Sequence, residues 1–174
     1  MTDATDSITR SVGTVTRDGF RAMMSGFPTG VAVVTATDPQ GRPWGMTCSS
    51  LCSATLDPPT LLVCLRAASP TLAAIRAKGT FAVNLLHEGA RTTAELFASG
   101  RQDRFDHVGW SLDGLRAGPH LWADSHVVAD CRADRTVPVG DHVAVFAPVL
   151  AIEQSEDGLP LLYGLRRYSG WPAA

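Results

Sequence analysis

The chain has 174 residues, of which 45% are hydrophobic and 18% are charged, and its formal net charge at pH 7 is −2. This composition indicates one globular domain with a proper core and excludes a disordered chain. The slightly acidic balance argues against a nucleic-acid partner, because proteins that bind the phosphate backbone carry clustered positive charge.

The N-terminal residues predict a cytoplasmic protein without membrane contact. The first ten residues, MTDATDSITR, are polar and lack the apolar core of a signal peptide. No apolar run approaches the roughly 18 residues that a membrane-spanning helix needs. We expect residues 1–16 to form a mobile segment and residues 17–174 to form a single domain.

Turn and helix signals divide the chain into about six strands and three short helices. The first helix, 17–27, has apolar residues at helical spacing, with Asp18 as its expected N-cap and Gly26 at its end. Two further helices are expected over 69–79 and 89–100, and residues 101–126 are expected to be mostly loop. The strands are expected over 31–37, 60–65, 80–86, 126–139, 140–154 and 160–171.

This order of elements predicts a mainly β fold. Regular strand–helix alternation, which a doubly wound sheet requires, is missing from the last third of the chain. Long antiparallel connections instead favour a closed or nearly closed β-barrel with helices at its ends.

The stretch 45–59, GMTCSSLCSATLDPP, is rich in small hydroxylated residues although apolar strands flank it. Short side chains let a flat ring lie close to the backbone, and hydroxyls and free N–H groups can bond a heterocycle or a phosphate. An ordinary Ser/Thr-rich edge strand would have the same composition. Composition alone leaves both interpretations open.

Two other places carry polar groups suited to chemistry. The loop 97–105, FASGRQDRF, follows a helix and contains arginines and a glycine that could bind a phosphate. It could equally be a solvated helix end with basic residues placed favourably against the helix dipole. His142 begins a strand in the sequence GDH and could contact a reacting ring or be structural. Since neighbours along a strand face opposite ways, Asp141 is not expected to hold the His142 ring.

Several common nucleotide-binding, catalytic and metal-binding motifs are absent from the sequence. It contains no G-x-G-x-x-G fingerprint, no phosphate loop and no G-x-S-x-G elbow. The four cysteines, Cys48, Cys52, Cys64 and Cys131, have no C-x₂-C spacing, and the five histidines have no metal-binding spacing. We therefore predict buried free thiols and no metal site.

Taken in order, seven segments resemble the flavin reductase family, the small NAD(P)H:flavin oxidoreductases that supply two-component monooxygenases. The resemblance covers residues 20–171, and the segments that carry it are FPTGVAVVTA, GMTCSSLCSATLDPPTLLVCL, SPTLAAI, FAVNLL, LFASGRQDRF, GDHVAVF and PLLYGLRRY. The resemblance implies an FMN-binding split β-barrel and a homodimer with FMN or FAD near the subunit interface.

The resemblance also implies which residues contact the flavin. Thr47, Cys48, Ser49 and Ser50 would follow its ring and ribityl chain, with Ser53 and Ala54 close by. Cys64, Leu65 and Arg66 would end the next strand beside it. Its phosphate end or adenylate would be contacted by Ser69, Thr71, Ser99, Arg101 and Arg104.

The nicotinamide side would be formed by His142, Tyr163, Arg166 and Tyr168, with His142 as the candidate catalytic contact. The chain departs from the family here, because Arg166 stands where family members usually have glycine and Ala147 stands where they often do. The departures leave NADH or NADPH preference open, and Arg166 or Arg167 could meet a 2′-phosphate.

The resemblance predicts hydride transfer from NADH or NADPH to flavin, followed by release of reduced flavin to a partner oxygenase. Positioning of the two rings supplies most of the acceleration, so no protein nucleophile is required. Two alternatives share the barrel: an FMN-bound oxidase of the pyridoxamine-phosphate oxidase type, and a non-catalytic flavin-binding electron carrier. A plain interaction domain would bind no flavin.

Overall fold

The computed structural model describes residues 14–155 and 158–171. Most of the predicted mobile segment, residues 1–13, therefore lies outside the described residues. The first helix starts one residue earlier than its expected cap. Thr16 is the N-cap, and its hydroxyl accepts a hydrogen bond of 3.1 Å from the Gly19 backbone N–H, so the prediction of Asp18 was wrong.

Within the described residues, three α-helices and eleven strands form the fold. The helices are α1 (Arg17–Ser25), α2 (Pro70–Lys78) and α3 (Arg91–Ala98), and single 3₁₀ turns cover Arg104–His107 and Trp122–Asp124. The strands are β1 (Thr29–Gly30), β2 (Ala32–Thr37), β3 (Pro43–Cys48), β4 (Leu51–Leu56), β5 (Pro59–Arg66), β6 (Thr80–Leu86), β7 (Ser125–Arg132), β8 (Arg135–Val139), β9 (His142–Gln154), β10 (Leu162–Gly164) and β11 (Arg167–Ser169).

Eight of these strands form one curled antiparallel sheet in the order β3-β2-β6-β7-β9-β5-β4, and β8 pairs with β9. The two ends of this order, β3 and β4, are consecutive in the chain, yet they do not pair with each other. Only Ser49 and Ser50 join them. The split of the barrel therefore falls inside the hydroxyl-rich stretch, and the predicted mainly β split barrel is confirmed.

Apolar side chains pack against both faces of the curled sheet and form two core clusters. One core cluster packs Leu72 and Ile75 of α2 against strand residues such as Val63 and Phe81. A second cluster lies on the other face of β2, where Val33 packs with Phe97 of α3. All six residues of β2 are buried, which explains why this strand is an uninterrupted apolar and threonine run rather than an alternating one.

A small second sheet lies beside the split. It consists of β1, β10 and β11, and β10 pairs with β11 so that Gly164 faces Arg167. The intervening residues, Leu165 and Arg166, have φ values of 50° and 59°. Positive φ at both loop positions is the conformation that a two-residue hairpin of the type I′ class requires.

The structure divides three predicted segments more finely than the sequence analysis did. The segment 45–59, whose strand character was weak before Leu56, contains most of β3 and all of β4. The predicted single strand 126–139 is two strands, β7 and β8, which both pair with the long strand β9. The last predicted strand, 160–171, is the β10–β11 hairpin. Apolar alternation continues across such breaks, so it does not mark where a strand changes partner.

Candidate active site

A groove of about 910 Å³ opens beside the split of the barrel. Residues from four separate parts of the chain line it: α1 and the segment after it, the hydroxyl-rich stretch, β5, and the β10–β11 hairpin. Five residues predicted from the sequence are among them, namely Ser49, Ser50, Cys64, Tyr163 and Arg166. The fold thus brings predicted flavin contacts and predicted nicotinamide contacts to one site.

The two serines owe their exposure to the split. Cys48 is the last residue that pairs with β2, and Leu51 is the first that pairs with β5. Ser49 and Ser50 lie between these two ladders, and the Ser50 carbonyl accepts a 3.0 Å hydrogen bond from the Cys64 N–H. Their short side chains are exposed at the groove. A flat ligand can therefore approach the main chain here.

The pairing of β5 with β9 places His142 on the same face of the sheet as Cys64. Cys64 pairs with Ala144, and Arg66 pairs with His142, across β5 and β9. Residues two apart along a strand share a face, so Arg66 and His142 lie on the face that Cys64 presents to the groove. They are one repeat, about 7 Å, farther along the strands. Neither of them lines the groove itself.

Asp141 does hold the His142 ring, contrary to the sequence prediction. The distance from His142 Nδ1 to Asp141 Oδ1 is 2.8 Å. Val139 pairs with His142, so Gly140 and Asp141 form the turn between β8 and β9, and the alternation rule does not apply to Asp141. The hydrogen bond from His142 lowers the pKa of the Asp141 carboxyl.

Four predicted flavin residues have side chains that face away from the groove. Cys48, Leu65 and Thr71 are buried, and burial raises the pKa of the Cys48 thiol to about 11. The Thr47 hydroxyl donates a 2.6 Å hydrogen bond to the Ala94 carbonyl of α3. In this structure these side chains anchor the strand and helix behind the site.

Arg101 and Arg104, which were predicted to contact the phosphate, both bind protein groups in this structure. Arg101 makes a two-pronged contact with the Asp103 carboxylate, at 2.9 and 2.6 Å. Arg104 donates to the backbone carbonyls of Gly45 at 2.8 Å and Phe97 at 3.1 Å. Burial lowers the pKa of Arg104. Arg104 therefore ties α3 to β3.

The remaining predicted contacts are near the surface but outside the groove lining. Ser69 is the N-cap of α2 without a side-chain capping bond, and its hydroxyl donates to the Met46 sulfur at 3.3 Å. The Tyr168 ring packs on Tyr163 with centroids 5.1 Å apart. The other three, Ser53, Ala54 and Ser99, are exposed.

The sequence analysis missed the contribution of α1 to the site. Phe20, Arg21 and Met24 of this helix line the groove together with Phe27. Within the part of the chain that the structure describes, no residue of α1 is buried. Helical spacing of apolar residues predicted the helix, but it does not show whether the apolar face packs on a core or borders a ligand site.

Thiol and metal-ligand positions differ from expectation in detail. All four cysteines are free, but only Cys48 and Cys131 are buried, and Cys52 is exposed at the groove. Within residues 14–155 and 158–171, one group with metal-ligand atoms in mutual reach is His120, Asp130 and Glu153. His120 Nε2 and Asp130 Oδ1 are 2.8 Å apart and bond each other.

Among the described residues, the helices are all too short or too polar to cross a bilayer.

Comparison with known proteins agrees with this geometry. The family model described as a flavin reductase like domain matches residues 24–172. A flavin reductase (NADPH) from Lentzea aerocolonigenes is 51% identical over 157 residues, which is 90% of this chain and 91% of that protein.

Two solved structures share the fold. One is the NADH:FAD oxidoreductase of Streptomyces globisporus C-1027 in complex with NAD and FAD fragments, with a TM-score of 0.83, 30% identity and coverage of 90% of this chain and 93% of the other. The second is the styrene monooxygenase flavin reductase from Pseudomonas putida S12, with a TM-score of 0.80, 30% identity and coverage of 89% and 99%. Because the family model matches residues 24–172 and a relative is 51% identical over 90% of the chain, this chain belongs to the flavin reductase family.

Proposed function

We propose that the protein is an NAD(P)H:flavin oxidoreductase and that the groove beside the barrel split holds the flavin ring with the nicotinamide against it. The observation that carries this proposal is the meeting of Ser49, Ser50, Cys64, Tyr163 and Arg166 in one groove. Ser49, Ser50 and Cys64 were expected at the flavin. Tyr163 and Arg166, about 100 positions later in the chain, were expected on the nicotinamide side.

The groove fits an FMN or FAD ring by size and by lining. Its volume of about 910 Å³ lies at the upper end of the range typical of cofactor sites. Phe20, Met24 and Leu62 form apolar walls, and Ser49 and Ser50 supply hydroxyls along one side. A flat heterocycle with polar edges requires this combination of apolar faces and short hydrogen-bonding groups.

When bound, flavin supplies the hydride acceptor. The chain positions the reactants. Ser49 and Ser50 can donate hydrogen bonds to polar ring edges from exposed side chains that are not part of either strand ladder. Donors fixed before the reaction stabilise developing negative charge without reorganisation. His142 lies on the sheet face that Cys64 presents to the groove, and its ring is held by Asp141. It is our candidate for a contact with the nicotinamide.

The first test mixes the purified protein with NADH or NADPH and with added FMN or FAD. Nucleotide oxidation, followed at the nicotinamide absorbance band, should depend on the added flavin and should saturate with it. A tightly held flavin with little nucleotide oxidation would support the carrier alternative instead. Oxidation of an amine substrate without nicotinamide would support the oxidase alternative.

A second copy of the chain is proposed to complete the site. The apolar residues of α1 and of the segment after it are widely exposed, with Phe20 at 54%, Met23 at 62% and Phe27 at 65%. Leu150 and Ile152 of β9 are also more than half exposed. Large exposed apolar patches mark interaction surfaces, and a copy packed on α1 would cover the side of the groove that this helix forms.

The dimer proposal predicts that Met23→Glu or Ile152→Glu shifts the protein from dimer to monomer, because a charge at an apolar interface cannot be paired. Neither residue lines the groove. Sedimentation velocity measures the shift, and Thr92→Glu on the exposed side of α3 is the control. A wild-type monomer at all concentrations, or variants that remain dimeric, would contradict the proposal.

Reduced flavin is proposed to leave for a separate oxygenase. One relative in this family is, by name, the reductase of a styrene monooxygenase, and another structural neighbour is the reductase component of a two-component tryptophan halogenase. The open groove on a single chain is consistent with exchange of flavin between two proteins.

A further inference from the structure

We infer that Arg166 forms a subsite for the 2′-phosphate of NADPH and biases the enzyme toward NADPH over NADH. This inference rests on the proposed placement of the nicotinamide nucleotide in the groove. It identifies the residue that distinguishes the two nucleotides, which differ only by that phosphate.

The backbone at Arg166 gives no reason for an arginine at this position. Leu165 and Arg166 are the non-glycine residues with positive φ in the part of the chain that the structure describes. Side chains other than Gly, Asn and Asp are disfavoured in this region. Strained residues at a site point to a role for the side chain itself. Leu165 does not line the groove, whereas Arg166 does.

The hairpin that carries Arg166 is held firmly at the rim of the groove. The Leu165 N–H donates a 2.6 Å hydrogen bond to the Ser25 carbonyl at the end of α1. A Cβ atom added to Gly164 would lie 3.1 Å from Pro28, so the strand packs closely on the chain beneath it. The direction of the turn, and hence of Arg166, is therefore set by the fold.

Arg166 is also the uncompensated charge of the groove. The other charged side chains of its lining are Asp18 and Arg21, and these lie 3.6 Å apart as an ion pair. Among residues 14–155 and 158–171, Arg166 makes no hydrogen bond or ion pair. An exposed guanidinium can bind a phosphate through two parallel hydrogen bonds.

The neighbouring aromatic residue suits the adenosine that carries this phosphate. Tyr163 stands in the same hairpin, lines the groove and is 36% exposed. Its ring is braced by Tyr168 at 5.1 Å between centroids. The resemblance placed Tyr163 at the nicotinamide, whereas we assign its ring to the adenine, in the same hairpin as Arg166. With the adenine on Tyr163, Arg166 is assigned to the 2′-phosphate, and the test separates this phosphate from the phosphates that NADH and NADPH share.

The test uses Arg166→Gly, with Leu165→Gly as a matched control. Both variants relieve one positive-φ position in the same turn, but only the first removes a cation. Calorimetric titrations with adenosine 2′,5′-bisphosphate and with adenosine 5′-diphosphate separate the 2′-phosphate from the shared phosphates. We expect Arg166→Gly to weaken binding of the 2′,5′-bisphosphate about tenfold, the cost of one good charge-assisted contact, and to change 5′-diphosphate binding less than twofold.

Leu165→Gly should leave both affinities unchanged, and Arg166→Lys should keep part of the preference. In steady-state assays the KM for NADPH should rise in Arg166→Gly while the KM for NADH stays constant. Equal loss for both adenosine ligands would assign Arg166 to a shared phosphate and overturn the inference, as would no loss for either. Failure of the wild-type protein to oxidise any nucleotide would refute the proposed function instead, since the two adenosine ligands report binding alone.

Discussion

Replacing Ser49 by tryptophan should abolish flavin binding while leaving the barrel folded. Ser49 is exposed and lies between the two strand ladders that end at Cys48 and start at Leu51. An indole at this position would occupy the space beside the main chain that the ring needs. We expect the Kd for FMN and FAD to rise at least about 100-fold, or about 2.8 kcal/mol.

The fold should tolerate this change because exposed positions outside caps and special backbone conformations contribute little to stability. Flavin fluorescence quenching measures the Kd, and the thermal unfolding midpoint checks the fold. Gln40→Trp is the control, since Gln40 is exposed in the turn between β2 and β3 and does not line the groove. Unchanged flavin affinity in Ser49→Trp, with Gln40→Trp also unchanged, would place the flavin elsewhere.

The position of Ser49 illustrates what the sequence could and could not predict. The small hydroxylated stretch suggested close approach of a ligand to the backbone, and its resemblance to a family pointed to flavin. That the stretch spans the two unpaired edges of the sheet depends on the order of strands β3 to β9. Pairing between strands distant in the chain is not encoded in local composition, so the split had to come from the structure.

The arginines illustrate the opposite case. Arg101 and Arg104 were expected at a phosphate because guanidinium groups near a glycine suit one. Arg101 forms an ion pair with Asp103, which is only two residues away and could have been anticipated from the sequence. Arg104 bonds the Gly45 carbonyl, 59 positions away, which no local pattern reveals. Arg166, in contrast, lines the groove, and its positive φ of 59° is a feature that the sequence did not predict.

The second large effect is expected at Gly118, where alanine should strongly destabilise the fold. A Cβ atom at this position would lie 2.5 Å from the Thr35 carbonyl oxygen and 2.7 Å from the Ala82 nitrogen. Thr35 and Ala82 are paired residues of β2 and β6, so neither atom can move without opening the sheet. The loop itself must then lift away from the strands.

Lifting this loop would break buried hydrogen bonds made by the residues that follow Gly118. The Thr35 hydroxyl donates to the Pro119 carbonyl at 2.5 Å, and the Leu121 N–H donates to the Asn84 side-chain oxygen at 2.8 Å. Each such bond is worth about 1 kcal/mol, and more if it leaves a buried group unpaired. Together with the overpacking itself, of about 1–3 kcal/mol, the free energy of unfolding should fall by about 3–5 kcal/mol.

Urea denaturation of Gly118→Ala measures this loss, and a reduced midpoint with an unchanged m-value would assign it to the folded state. Gly114→Ala is the matched control, because it lies in the same loop and no atom approaches its added Cβ within 4 Å. Its unfolding free energy should change by less than about 0.5 kcal/mol. Since Gly118 does not line the groove, the folded fraction of Gly118→Ala should still bind flavin with wild-type affinity. Equal stability of the two alanine variants would mean that the loop yields at Gly118, and that the Thr35 and Asn84 contacts do not fix it to the sheet.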